Sequence, residues 1–191
     1  MSTALNVPDL MTLEEFLAWD APGPGLWQLI DGVPQAMAPA GSTHGVIQSN
    51  IANLIINRLD NLGGPCVMMT NPGIIPAFRT NRNYFIPDAA VTCSEADIGV
   101  AGIRHPVLVI ESLRPSNHAE TWRNIRAYML IPGVREILVI RSDLASIDLL
   151  RRDAEGVWPD DVTTVTQGTF TLASLDLTVT FSALYRRSGV G

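Results

Sequence analysis

At 191 residues, with 47% hydrophobic and 17% charged residues, the chain has the size and composition of one well-cored globular domain spanning 1–191. No apolar run reaches the roughly 18 residues that cross a bilayer, and Met1 to Thr12 lacks the basic start and apolar core of a secretory signal. The net charge of −6 counts against a nucleic-acid binder, although the thirteen positive charges, all arginine because the chain has no lysine, could still cluster, as Arg114, Arg123 and Arg126 do along the sequence.

Thr12-Leu-Glu-Glu15 is a capping box ahead of Phe16, Leu17 and Trp19, and predicts a short amphipathic helix. Leu26 to Val33 reads as a strand entering an Asp31-Gly32 hairpin turn, with Pro34 to Met37 returning. Ser42 or Thr43 can cap a second helix, in which Val46, Ile47, Ile51, Leu54, Ile55 and Leu59 keep helical period until Gly63-Gly64. Cys66 to Thr70, Gly73 to Phe78 and Tyr84 to Cys93 read as three strands, with Arg79 and Arg82 flanking a turn. Val107 to Leu113, between Pro106 and Pro115, has the unbroken apolarity of a buried central strand. Ser116 or Asn117 can cap a helix running to Leu130, before Pro132-Gly133. Arg135 to Ile140 and Ser146 to Arg152 pair through a turn near Asp143, Val162 to Val179 is β-like with a turn at Gly168, and Phe181 to Tyr185 forms a closing helical turn. The pattern predicts an α/β (mixed α+β) domain: one mixed, twisted sheet covered by helices. Cys66 and Cys93 match no zinc spacing, and a lone pair makes no disulfide framework, so the expectation is two reduced core thiols in a cytoplasmic protein.

Asp88 and Glu111 lie near the ends of neighbouring β-type segments. A carboxylate at the end of a buried strand is costly unless compensated, and two that converge can be relieved by a divalent cation. Magnesium takes such oxygen ligands and keeps several waters, and the Ser112 carbonyl could join the same shell. Glu111 pairing with an arginine at the sheet edge is the alternative. His44, at the start of the second helix, could reach phosphate or metal or could be a surface residue of the cap. His105 reads as a loop residue, and His118 lies close after Glu111.

Taken together, Leu13-Glu-Glu-Phe-Leu, Trp27-Gln-Leu-Ile-Asp-Gly, Met37-Ala-Pro, His44, Pro87-Asp88, Glu111-Ser-Leu-Arg-Pro-Ser-Asn, Tyr128 and Pro132-Gly-Val-Arg-Glu136 resemble the Uma-two family of restriction-endonuclease-like proteins, in order and over nearly the whole chain. The resemblance implies the PD-(D/E)xK nuclease fold, with helices flanking a mixed sheet, and a magnesium- or manganese-dependent DNA endonuclease. It makes Asp88 and Glu111 the metal-binding acids and His44 the family histidine. Gln28 stands where the family usually has glutamate, and Asn124 where it usually has lysine. Asparagine brings no charge, and Arg123 is the other candidate to stand in for the lysine, although arginine cannot act as a base. The alternative implied by those departures is a catalytically inactive nuclease fold that binds nucleic acid or protein. Duplex-cutting nucleases often work as pairs, which makes a two-fold homodimer the expected assembly.

Overall fold

The computed structural model describes residues 10–114 and 117–190; Pro115, the Ser116 cap and residues 1–9 of the N-terminal reading lie outside them. Helix α1 (Leu13–Ala18) opens with the expected capping box: Glu15 N donates to the Thr12 hydroxyl, and Thr12 N to the Glu15 carboxylate. Strands β1 (Trp27–Ile30) and β2 (Val33–Ala36) form the hairpin in register Ile30–Val33. Its turn needs left-handed backbone at Asp31 (φ 49°) and Gly32 (φ 86°), which Asp and Gly tolerate best. Helix α2 (Ser42–Leu62) buries Ile47, Ile51, Ile55 and Leu59, a stripe four residues apart, and ends on left-handed Gly63. Its start differs from expectation. Gly41 is the N-cap, no side chain caps the helix, and Ser42 and Thr43 already sit in its first turn.

The main sheet has six strands. β3 (Val67–Thr70), β4 (Ala89–Thr92) and β5 (Pro106–Leu113) are followed by helix α3 (His118–Met129), which returns the chain to β6 (Glu136–Arg141), β7 (Ile147–Arg151) and β8 (Thr163–Val165). The strands lie in that order, all antiparallel except the central β5–β6 pair. A parallel pair needs a crossover of a dozen or more residues, and α3 supplies it. β9 (Thr169–Leu172) and β10 (Leu177–Thr180) form a separate ribbon, closed by α4 (Phe181–Leu184).

Two apolar layers sandwich the sheet. Ala89, Val91, Leu108, Ile110, Leu138 and Ile140 face α2, α4 and the β9–β10 ribbon. Their neighbours Ala90, Val109, Leu113, Ile137 and Val139 face Ile125 and Tyr128 of α3, with Ile30 and Phe85. This is period-two alternation with both faces covered, which is why the central strands read as continuous apolar runs.

Four further expectations are corrected. Gly73 to Phe78 is not a strand: only Ile74 makes bridges, to Phe85 and Ile103. The Tyr84 to Cys93 segment is likewise reduced to β4, with Tyr84 bridging Leu29 of the hairpin instead of extending the ladder. Pro72, Pro76 and Pro87 interrupt these runs, and a proline removes a ladder donor and fixes φ. Nor are the two thiols reduced. Cys66 and Cys93 are joined in a disulfide across β3 and β4, their Cα atoms 3.9 Å apart. The pairing Val67–Thr92 continues one step to set them directly opposite. Finally, Asn117 holds the N-cap position of α3 but its side chain does not cap the helix; it accepts from Arg114 N at 2.7 Å.

Candidate active site

The register between β4 and β5 places Ala89 opposite Ile110 and Ala90 opposite Val109. One step further, Asp88 faces Glu111 across the ladder, on the same side of the sheet as Ala90 and Val109. Side chains directly opposite in an antiparallel pair are close neighbours, and like charges there are destabilising. The acids are held from the protein side. Ser112 N donates to Asp88 Oδ2 at 2.6 Å, His44 Nε2 lies 2.9 Å from Asp88 Oδ1, and the Tyr128 hydroxyl donates to Glu111 Oε1 at 2.9 Å. The Asp88 backbone N–H also favours the charged form of the Glu111 carboxyl. His44 is buried, and its Nδ1 has no hydrogen-bond partner.

The acids open into a cavity of about 400 Å3, bounded by the β1–β2 hairpin, the start of α2, the ends of β4 and β5, and the first two turns of α3. Gln28 reaches it from β1, buried to 1% exposure. Its amide is tied on both sides: Oε1 accepts from Ile86 N (3.2 Å) and Asn124 Nδ2 (3.1 Å), while Nε2 donates to Glu120 Oε1 (3.1 Å). Asn124 is therefore bound to Gln28, not to the acids. Arg123 stays outside the wall, 3.8 Å from Glu120 and in contact with Asn124 Oδ1. Ser112 contributes its backbone: the N–H already holds Asp88, and the carbonyl accepts from Asn117 Nδ2 at 3.2 Å. Gln48 supports the floor, donating to the Asp88 carbonyl at 2.6 Å and to Asn71 Oδ1 at 2.7 Å.

Burial, and after it the negative charge of Asp88, push the Glu111 carboxyl well above the ordinary glutamate range, against the lowering effect of the Tyr128 hydroxyl. Burial and the Glu111 charge likewise raise Tyr128 well above the usual phenol value, so it remains an O–H donor. The pair is thus an electrostatic deficit on the protein's own terms. A divalent cation fits it. The donors are hard carboxylate oxygens, both acids open into the cavity, and added positive charge would relieve the repulsion that raises Glu111. Among the described residues no three His, Cys, Asp or Glu side chains form a complete cage. A cation here would therefore keep several waters, as magnesium does.

The tertiary structure thus brings Gln28, His44, Asp88, Glu111, Ser112 and Asn124 to one cavity. It leaves His105 at the far end of β5, 3.1 Å from Asp97, and His118 against Trp122 outside the wall. Wall and support residues that the sequence did not mark as such include Arg114, Glu120, Thr121 and Tyr128, beside Gln48 and Asn71. For Thr121 and Tyr128 a signal existed. Thr121, Asn124, Ile125 and Tyr128 share one buried face of α3, at the spacing i, i+3, i+4, i+7, and polar residues in such a stripe mark where it leaves the apolar core.

A family model described as "Uma2: Putative restriction endonuclease" matches residues 13–183. Among solved structures, a crystal structure described as a putative nuclease belonging to DUF820 from Anabaena variabilis ATCC 29413 is similar with a TM-score of 0.73 at 17% identity, covering 92% of this chain and 97% of that one. At that identity the likeness is one of fold. No curated protein matches the chain.

Proposed function

We propose, from the premise that this chain belongs to the Uma2 family of restriction-endonuclease type, that it hydrolyses phosphodiester bonds of DNA with the help of a divalent cation. The observation that carries this reading is that the buried Asp88 and Glu111 carboxylates meet at one cavity, with Glu111 raised well above its ordinary range by burial and by Asp88. Asp88 and Glu111 would hold magnesium or manganese, with the Ser112 carbonyl at the margin. The ion would polarise a phosphate oxygen and make water more acidic. The protein supplies the positioning. His44 and the Ser112 N–H fix the two Asp88 oxygens, and Tyr128 fixes Glu111 Oε1. Gln28 and Asn124 form a neutral, mutually bonded wall where the family usually has a glutamate and a lysine. Since one electrostatic group in such a site is worth roughly 10²–10³ in rate, the expected turnover is slow.

The test is cleavage of plasmid and single-stranded DNA with manganese, run beside Asp88→Ala. Cleavage by wild type that vanishes in a folded Asp88→Ala protein is expected. Cleavage that survives in pure Asp88→Ala would sink the assignment. One observation favours a second reading, a nuclease fold that binds without cutting: Asn124 Nδ2, which carries no charge, donates to Gln28 at 3.1 Å rather than to the acids. Under that reading neither protein cuts, while manganese still raises the melting temperature of wild type, because an ion bound only by the native state must stabilise it.

A further inference from the structure

Among the described residues, the wall of the cavity contains three carboxylates, Asp88, Glu111 and Glu120, and one guanidinium, Arg114. An arginine in such company would ordinarily pair with an acid. Arg114 does not: it forms no ion pair among the described residues, and its Nε is buried with no acceptor. A buried donor left without a partner carries a desolvation penalty, so its place calls for an anion that the protein itself does not provide.

The backbone beneath Arg114 is fixed. Asn117 Oδ1 accepts from Arg114 N at 2.7 Å, and Asn117 Nδ2 donates to the Ser112 carbonyl at 3.2 Å. One asparagine therefore clamps the end of β5, holding Arg114 three positions beyond Glu111. The other candidates for the missing cation are placed less well. Arg123 lies beside Glu120 outside the wall, and Asn124 is neutral and bonded to Gln28.

We infer that Arg114 is the residue that binds the substrate's phosphate, setting a nucleic-acid phosphodiester against the Asp88–Glu111 pair. The inference rests on the nuclease reading and adds to it the source of positive charge in a chain without lysine. A guanidinium presents a planar fork of donors that matches two phosphate oxygens. Arg114 contributes charge and orientation to the site.

The test pairs binding with cleavage. Binding of a short fluorescein-labelled single-stranded DNA is followed by anisotropy in metal-free buffer, for wild type, Arg114→Ala, Arg114→Gln and Arg114→Lys. Arg135→Ala serves as a control for general charge, since Arg135 is exposed at the opposite end of the sheet. Losing a charge-assisted contact should weaken Kd about tenfold in Arg114→Ala and Arg114→Gln, lower the salt slope by about one, and leave Arg135→Ala close to wild type. Arg114→Lys should recover part of the loss. The glutamine variant keeps side-chain bulk and preserves the test should alanine disturb the loop. Wild-type affinity in both neutral variants overturns the inference, even if manganese-dependent cleavage upholds the nuclease reading. Binding that depends on Arg114 in a protein that never cuts upholds the phosphate contact and overturns the nuclease reading. A wild type that neither binds nor cuts overturns both.

Discussion

Glu111 shows how one residue's chemistry is set by what surrounds it. Its carboxyl is raised by burial and by Asp88, so the folded protein holds the Glu111 proton more tightly than the unfolded chain does. The stability this contributes is fully present below the ordinary glutamate range and is lost as pH rises through the raised value. Urea midpoints of the metal-free protein should therefore fall across that window. In Glu111→Gln, which can still accept from Tyr128 but carries no charge, the fall should be absent and neutral-pH stability should exceed wild type. Parallel pH curves for the two proteins would contradict the charge-pair account. Asp88 and Glu111 were legible in the sequence because a carboxylate at the end of an apolar run stands out. Glu120 and Arg114 were not, because a charged residue in a helix's first turn or after a strand is commonplace and only the cavity gives it meaning.

Whole elements were most legible where one physical signal dominated. The α1 capping box, the Asp31-Gly32 turn and the Gly63 stop each follow from local hydrogen bonding or backbone sterics, and each is present. The segment from Gly73 to Phe78 misled because its apolar residues suit a strand while its prolines and the packing of Tyr84 forbid one. A Cβ added at Gly73 would lie 1.8 Å from the Tyr84 hydroxyl, so the chain there is bent around an aromatic side chain. The same scale governs β3, a four-residue edge strand with half-buried side chains. The Cys66–Cys93 bridge spans 27 residues, and closing a loop of that length is worth about 3.5 kcal/mol in the chain-entropy account. Cys66→Ser should lower unfolding stability by roughly that amount, measured by urea denaturation without reductant. Reductant should lower wild type to the same level and leave the variant unchanged. Equal stability in all four conditions would mean the bridge does not form in solution.

Across the whole molecule, the site lies at one end of the sheet and a structural anchor at the other. Glu136, 1% exposed at the start of β6, accepts from Arg151 Nε of β7 at 2.6 Å and from the backbone N–H groups of Ala173 and Ser174 at 3.0 and 2.6 Å. It joins the β9–β10 ribbon to the main sheet. Removing it leaves Arg151 without its carboxylate and two N–H groups without acceptors, so Glu136→Ala should cost roughly 3 kcal/mol. Hydrogen exchange should show Ala173 and Ser174 losing protection first, while the metal response of the distant acids persists. Unchanged protection at those two amides would refute the anchor. At this scale, too, the net charge of −6 is consistent with a site whose positive charge is confined to a single guanidinium in the wall.

By itself the sequence determined most of the periodic elements and the family, and singled out the two acids as candidates, because strand alternation, helical stripes, caps and a motif order are written locally along the chain. Only the tertiary structure decided the rest: that Asp88 and Glu111 share a register step, that Gln28 and Asn124 bond to each other, that the cysteines meet, and that Arg114 faces the cavity. Each of these joins positions far apart in the chain, and no local preference encodes a distance across a fold.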